Sequence, residues 1–579
     1  MTNLRFFALL AAFLVGGVSA ALGLLYWTTP YARVLGLGQV TYHEVGFRLF
    51  PLAVTPSSYL LLRTVLLACL LTAAAGLAAL RTFRPAAWVE FRSLGRELRR
   101  ASAALWQTWL ELPRWQRRAA GLLLTALTSL RIALAFWLPV STDEAASLDY
   151  FVRQGLVGIT SFYPIPNNHI GANLLGWVAW EMTGHAGLTM RLPTLLVGLG
   201  GTTLLYALLL RYLRFYGATL ALALFSLSPF TLYHSAVGRG YLLVSVCAGL
   251  AFFGLLAMLH SRQFSRTGAA LFVCSSVAGF YTIPIFLYPF LSFLLYAGAY
   301  LLGVRRKSAL MPLGAAGLLV LVVVALLYLP VVVVSGLPAL TGNSYVVALT
   351  PAAFWQKAGF YLWALEGELL GQLRLGLGVF LLLGTATLVC LYTAPRGSAF
   401  RHLAGPALVA TVLPYALLAA QRVMPPERVL FYKMLFLFIL AGLLYGELVA
   451  GSRRFRRALT LLLPVLLLSY AAYQTYYLRQ NYQPFRNSEA HIKRTYQWVA
   501  ARQPALVFVE ASYYQLFFYH YHLLAPGPTV LHSRWRRDQP YDLLVLDRRE
   551  PEALKQVDTT RYAPAYQDSF VTIYERRSW

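Results

Sequence analysis

The chain alternates long apolar runs with short polar breaks. A window of about 20 residues picks out about thirteen apolar segments. They lie near 5–27, 58–81, 119–140, 190–210, 217–235, 240–259, 267–283, 284–302, 309–335, 371–394, 403–420, 429–450 and 458–475. A chain in lipid must satisfy its backbone polar groups internally, so this pattern predicts a polytopic α-helical membrane protein. The short alternating segments of a β-barrel are not seen in the sequence. Thr282-Ile283-Pro284 reads as a kink or re-entrant turn between two of the segments. GANLLGWVAWEM, 171–182, is apolar but short. Counting it as a span would invert everything downstream, so it is expected to lie in the interface, with Trp177 and Trp180 at headgroup level. The N-terminal FFALLAAFLVGGVSA mimics a signal peptide, but Arg5 alone makes a weak charged start, and an uncleaved first helix is the preferred reading.

The pattern changes near 483. QPALVFVE, YDLLVLD and SFVTIYER read as strands, and SEAHIKRTYQWVAARQ as a helix capped by Ser488. The expected organisation is therefore a two-helix extension with a basic linker (1–118), a transmembrane module (119–480) with a long outer loop (141–189), and a small soluble α/β domain (481–579).

Composition agrees with this class. The chain is 58% hydrophobic and 12% charged, with mean hydropathy +0.59; average soluble domains carry about 25% charged residues. The net charge of +27 raises nucleic acid as a partner, but its placement argues against that. Lys and Arg gather in short loops, as topology requires. The segment 81–118 holds Arg81, Arg84, Arg92, Arg96, Arg99, Arg100, Arg114, Arg117 and Arg118 and is read as cytoplasmic. Alternation then puts Arg211 and Arg214, Arg262 and Arg266, Arg305, Arg306 and Lys307, Arg396 and Arg401, and Arg453, Arg454, Arg456 and Arg457 on the same side. An N-in, C-out chain follows, expected in a bacterial inner (plasma) membrane with anionic lipid headgroups as partners of the basic loops. Cys69, Cys247, Cys274 and Cys390 fall inside apolar runs with neither metal nor disulfide spacing.

Acids are scarce, yet Asp143, Glu144 and Asp149 stand together in STDEAASLDY, at the outer end of segment 119–140. Long ordered loops tend to be functional. The plain reading is a helix cap, with Thr142 or Asp143 as N-cap. The chemical reading is a general base at the membrane surface. Other polar groups share that side: Asn167, Asn168, His169, Arg191, Tyr233, His234, Arg239, Tyr241, Tyr281, Tyr288, Gln356, Lys357, Glu366, Glu368, Arg422, Glu427 and Arg428. Each arginine alone reads as an interfacial snorkeller. Four of them (Arg191, Arg239, Arg422, Arg428) against the positive-inside bias suggest an anionic ligand, because guanidinium binds phosphate bidentately. Acids with arginines at a membrane surface fit glycosyl transfer from a polyprenyl-phosphate-linked sugar.

STDEA (141–145), PNNHIGANLL (166–175), RLP (191–193), GRGY (238–241) and PPERVLFY (425–432), in that order and on one side, resemble the GT-C glycosyltransferases. The protein O-mannosyltransferase and aminoarabinose transferase branch, family 39-like, is the most similar; the resemblance covers roughly 119–480. It implies an inverting transfer on the outer face, with Asp143 as catalytic acid residue of the first outer loop and Glu144 beside it. It implies no cofactor, with a divalent metal left open. Phosphate is expected at Arg239 with Arg422 or Arg428; Glu144, Asn168 and His169 are expected to orient sugar or acceptor, and Arg191, His234, Tyr241 and Tyr281 to complete the binding site. His520 and His522 in YHYH read as a solvated or packed pair. The chain departs from the family in carrying two helices and a basic linker, residues 1–118, ahead of the helix that leads into the acidic loop. The rival reading is a lipid or sugar transporter or flippase. It predicts ionisable groups at mid-membrane and repeat-related broken helices; the segments are nearly free of central acids, and no internal repeat is detected.

Overall fold

The computed structural model describes the chain apart from residues 1, 40–50, 84, 262–263, 343–345, 373, 396–397, 452–453, 510–516, 519, 523, 525–526, 533–534, 537–538, 549–559 and 578–579. Arg84, Arg262, Arg396 and Arg453, used above to judge sidedness, lie outside the described residues.

Eleven helices among the described residues are long and apolar enough to cross a membrane. Two expected segments are absent from that set for identifiable reasons. Ala186–Leu227 contains 190–210 and most of 217–235, whose end is the short helix Pro229–His234. Arg214 interrupts it at φ 58°, and the Tyr206 hydroxyl sits 2.8 Å from that of Thr219. Those residues would be about 20 Å apart on a straight helix, so the chain reverses at Arg214. Arg266–Thr282 carries the segment 267–283 but has only 17 residues. With these two the eleven helices account for the thirteen segments. A 3₁₀ turn at Pro284–Phe286, entered through extended Ile283, joins Arg266–Thr282 to Leu287–Gly303. Ile170–Thr183, the short apolar stretch, has 14 residues, about 21 Å of helix against a hydrocarbon core of about 30 Å.

Without a hydrophobic driving force between helices in lipid, close packing decides their contacts. Gly217 faces the backbone of Gly442, and Gly254 faces that of Gly268 and Phe272; a Cβ at either position has no room. The polar helix Pro85–Glu111 is tied to the bundle through Arg266. That guanidinium meets Glu97 at 2.8 Å and Glu90, while Glu97 also accepts the backbone N–H of Arg266 and Thr267. The acid thus caps the next helix. The N-terminal pair of helices is joined to the rest as well. The Tyr26 hydroxyl bonds Thr160 at 2.7 Å, and Arg63 and Tyr59 donate to the carbonyls of Tyr26 and Thr29.

The last helix corrects an expectation. Arg456–Ala500 runs unbroken for 45 residues, so no helix starts at Ser488. Its buried face changes partner instead, from Gln474 and Leu478 to His491, Ile492, Thr495, Tyr496 and Val499. These last residues support a five-stranded sheet of β1 (Leu506–Val509), β2 (Val530–His532), β3 (Leu543–Asp547), β4 (Tyr562–Gln567) and β5 (Val571–Arg576). The order is β2-β1-β3-β5-β4. β1 is parallel to β2 and β3, and β5 is antiparallel to β3 and β4. β1, β3 and β5 are the expected strands. β3 is buried at all five positions, as a central strand covered on both faces must be. β2 is only three residues long, and β4 is a mostly exposed edge containing Pro564, so neither gives an apolar run.

Candidate active site

The acidic loop begins with a cap. Ser141, and neither Thr142 nor Asp143, is the N-cap of helix Thr142–Tyr150: its hydroxyl accepts the Glu144 N–H at 3.1 Å, and Glu144 accepts the Ser141 N–H at 2.9 Å. Such a reciprocal box needs Glu three residues after Ser, which S-T-D-E supplies. The Glu144 carboxylate is 4% exposed. It also takes Arg191 Nε and Nη2 at 2.9 and 3.0 Å and the Gly238 N–H at 2.9 Å. Burial alone would raise its pKa; the Arg191 charge and the backbone N–H groups outweigh that and hold it below the usual carboxylate value. Arg191 in turn donates to the carbonyls of Ala135, Leu138 and Pro139, closing the end of helix Arg114–Trp137.

Glu144 thus fixes one side of the GRGY turn. His169 fixes the other, its Nδ1 accepting the Gly240 N–H at 3.1 Å. A Cβ at Gly238 would strike the Met190 backbone, and one at Gly240 would strike Thr282 and His169; only glycine lets the turn seat between them. Arg239 is therefore pointed into the loop, 5% exposed. Its Nη1 donates to Ser147 Oγ at 3.0 Å, its Nη2 lies 3.5 Å from Asp143 Oδ2, and its Nε has no partner. His169 sits 3.3 Å from Nη2. Burial first, and then the Arg239 charge, hold its pKa well below the ordinary value, so the ring is neutral.

Asp143 is 44% exposed and opens onto two cavities. One, of about 830 Å³, is lined by Ile283, Ile285, Leu340, Val346, Val423 and Val429 among others. The second, of about 560 Å³, is lined by Phe230, Tyr233, Glu368, Glu427, Tyr477 and Tyr482 among others. Thr142, Asp143, Arg239 and Arg428 belong to both linings. Helix Pro351–Leu370 positions this region from above. Tyr361 bonds the Pro425 carbonyl at 2.7 Å, Leu349 N–H bonds that of Arg422 at 2.9 Å, and Glu366 forms a fully buried ion pair with Lys433.

Of the residues singled out from the sequence, Asp143, His169, His234, Arg239, Tyr241 and Arg428 line one or both cavities. Glu144, Asn168, Arg191, Tyr281 and Arg422 line neither. Asn168 is 1% exposed and spends its amide on the Ile159 and Phe162 carbonyls and on Asn173, so it shapes the loop. Tyr281 packs beside Tyr328, and Arg422 is an exposed helix C-cap at φ 55°. Sequence reasoning passed over Ser147, Tyr477, Asn481 and Tyr482; the last three lie beyond the expected end of the final span, in a tyrosine-rich turn of helix. It also passed over Arg131, 2% exposed inside helix Arg114–Trp137, which donates to the Gly198 carbonyl at 2.7 Å. His520 is buried and His522 lies 3.4 Å from the Tyr496 hydroxyl, a packed pair. No cluster of three His, Cys, Asp or Glu among the described residues stands ready to hold a metal ion. A further cavity of about 620 Å³ at the arginine-rich end has charged residues, Glu111, Arg214, Glu447 and Arg456, that are all exposed.

Two solved structures superpose on this architecture. ArnT from Cupriavidus metallidurans bound to undecaprenyl phosphate matches with TM-score 0.51 at 14% identity, over 79% of this chain and 97% of that one. The apo state of the same protein gives 0.51 at 15% identity, over 79% and 98%. The fold is that of ArnT. The expected architecture, an integral membrane helical protein with a small C-terminal sheet, is therefore present. No family model matches the sequence, and no curated protein matches it.

Proposed function

We propose that the chain is an inverting glycosyltransferase that moves a sugar from a polyprenyl-phosphate donor to an acceptor on the outer face of a plasma membrane. The observation that carries this is the meeting of two cavities at Asp143, Arg239 and Arg428. The larger cavity has an aliphatic wall of Ile283, Ile285, Leu340, Val346, Val423 and Val429 beside its polar residues, which suits the first isoprene units of the donor, and the solved ArnT that shares this fold was bound to undecaprenyl phosphate. The phosphate faces Arg239, whose Nε is unpartnered, and Arg428. Asp143 removes the proton of the acceptor nucleophile. That oxygen or nitrogen attacks the anomeric carbon from the side opposite the phosphate, and the C–O bond to phosphate breaks. The leaving phosphate keeps the electron pair, and the two guanidinium groups stabilise its charge. Glu144 and Arg191 act as positioning residues: they hold the helix and the GRGY turn so that Asp143 and Arg239 stay opposed.

Purified protein in proteoliposomes, offered a panel of polyprenyl-phosphate sugars and a mixture of envelope lipids and glycans, tests this reading. Sugar leaving one donor and appearing on an acceptor supports it. Donor movement between leaflets without sugar loss would instead support the transporter.

A further inference from the structure

The smaller cavity has a chemistry of its own. Resting on the transferase reading, we propose that it is the acceptor subsite and that it takes an uncharged carbohydrate end, rejecting a phosphorylated or carboxylated one. Its lining carries two carboxylates that the larger cavity lacks, Glu368 and Glu427. Glu368 accepts from the Tyr477 hydroxyl at 3.3 Å. Its carboxyl is pushed above its usual value by burial and then by the Glu427 charge, so the two acids sense one another and a third negative group is repelled. A second feature points to a ligand. His234, 4% exposed, lines the same cavity, and its Nδ1 has no partner, leaving a buried polar atom for a hydroxyl to meet. The third is aromatic. Tyr233 and Tyr482 stack with centroids 4.4 Å apart and planes 16° apart, and Phe485 lies 5.9 Å from Tyr482. Such faces suit the C–H side of a pyranose, while carboxylates and hydroxyls take its O–H groups. Asn481 lines the same cavity, its amide N–H donating to the Tyr477 carbonyl at 2.9 Å. Arg239 and Arg428 lie with Asp143 where the two cavities meet, whereas the charged residues that belong to this cavity alone, Glu368 and Glu427, are both acids.

The test uses the full chain in detergent, with two titrations run in parallel. One follows undecaprenyl phosphate. The other follows octyl β-glucoside, its 6-phosphate and octyl β-glucuronide by saturation-transfer NMR. The neutral glycoside is expected to bind at least about tenfold more tightly than either anionic congener. Tyr482→Ala weakens the neutral glycoside by about tenfold, a stacking contact's worth, and leaves undecaprenyl phosphate affinity unchanged. Glu427→Lys erases or inverts the discrimination. Equal or tighter binding of the phosphorylated or carboxylated glycoside, no binding of the neutral one, or indifference to Tyr482→Ala overturns the proposal. Loss of undecaprenyl phosphate binding alone, with glycoside selectivity intact, breaks the donor reading and leaves the carbohydrate site standing.

Discussion

Removing the Glu144 carboxylate separates structure from chemistry at this site. Glu144→Ala strips the partner from Arg191, whose side chain is only 12% exposed, and leaves the Gly238 N–H and the Ser141 N–H without their acceptor. Breaking a buried ion pair by deleting one member costs about 3–5 kcal/mol, and loss of a helix cap about 1 kcal/mol. A net loss near 4 kcal/mol, roughly a thousandfold in the unfolding equilibrium, is expected. Glu144→Gln should lose about half of that, because its NH₂ must face one of several donors. The assay is denaturation in detergent by titrated SDS, read by tryptophan fluorescence, in a double-mutant cycle with Arg191→Leu. A coupling of about 2–3 kcal/mol is expected for groups in direct contact. The pH dependence carries the same signature. The folded pKa of Glu144 is depressed, so its contribution is present above the unfolded carboxylate value and disappears as pH falls through the lower, folded one. Unchanged stability in Glu144→Ala together with abolished turnover would refute the anchoring role and place Glu144 in the reaction.

The other expectations concern neighbours of that anchor. Gly238→Ala drives a Cβ into the Met190 backbone and is expected to lower the same SDS midpoint and activity together; a stable, active variant would contradict the packing. Arg239→Ala and Arg428→Ala should each weaken polyprenyl-phosphate binding by about ten- to a hundredfold, the range for a charged hydrogen bond, whereas Arg422→Ala, which lines neither cavity, should not; fluorescence titration with undecaprenyl phosphate distinguishes them. His520 is buried, and that burial pulls its pKa down to about 4. The unfolded histidine therefore takes up its proton first, and stability falls as pH drops from about 6.5 toward 4, by up to about 3 kcal/mol. His520→Phe should flatten that slope in melting curves recorded across the range.

The membrane architecture was legible because lipid makes a strong demand on composition. All thirteen apolar segments have a helical counterpart, and Ile170–Thr183, kept out of the count, has only 14 residues. What local reading missed depended on distance. The cap at Ser141 was readable, since Ser-x-x-Glu was in plain view, but three adjacent residues are all capable caps. That Arg191 serves Glu144, 47 positions away, leaves no local trace. Asn168 beside Asn167 was indistinguishable until one amide turned inward to Ile159 and Phe162. The tail helix was misjudged because a polar turn such as Asn481–Asn487 reads as a break when one buried face simply hands over to another.

The most direct test of the central claim is a single-turnover measurement with a bound polyprenyl-phosphate sugar, comparing wild type with Asp143→Asn. The account predicts retained donor binding and sugar transfer slowed by about 10²- to 10⁴-fold. Transfer at the wild-type rate would remove Asp143 from the reaction, and with it the junction of the two cavities as the reaction centre.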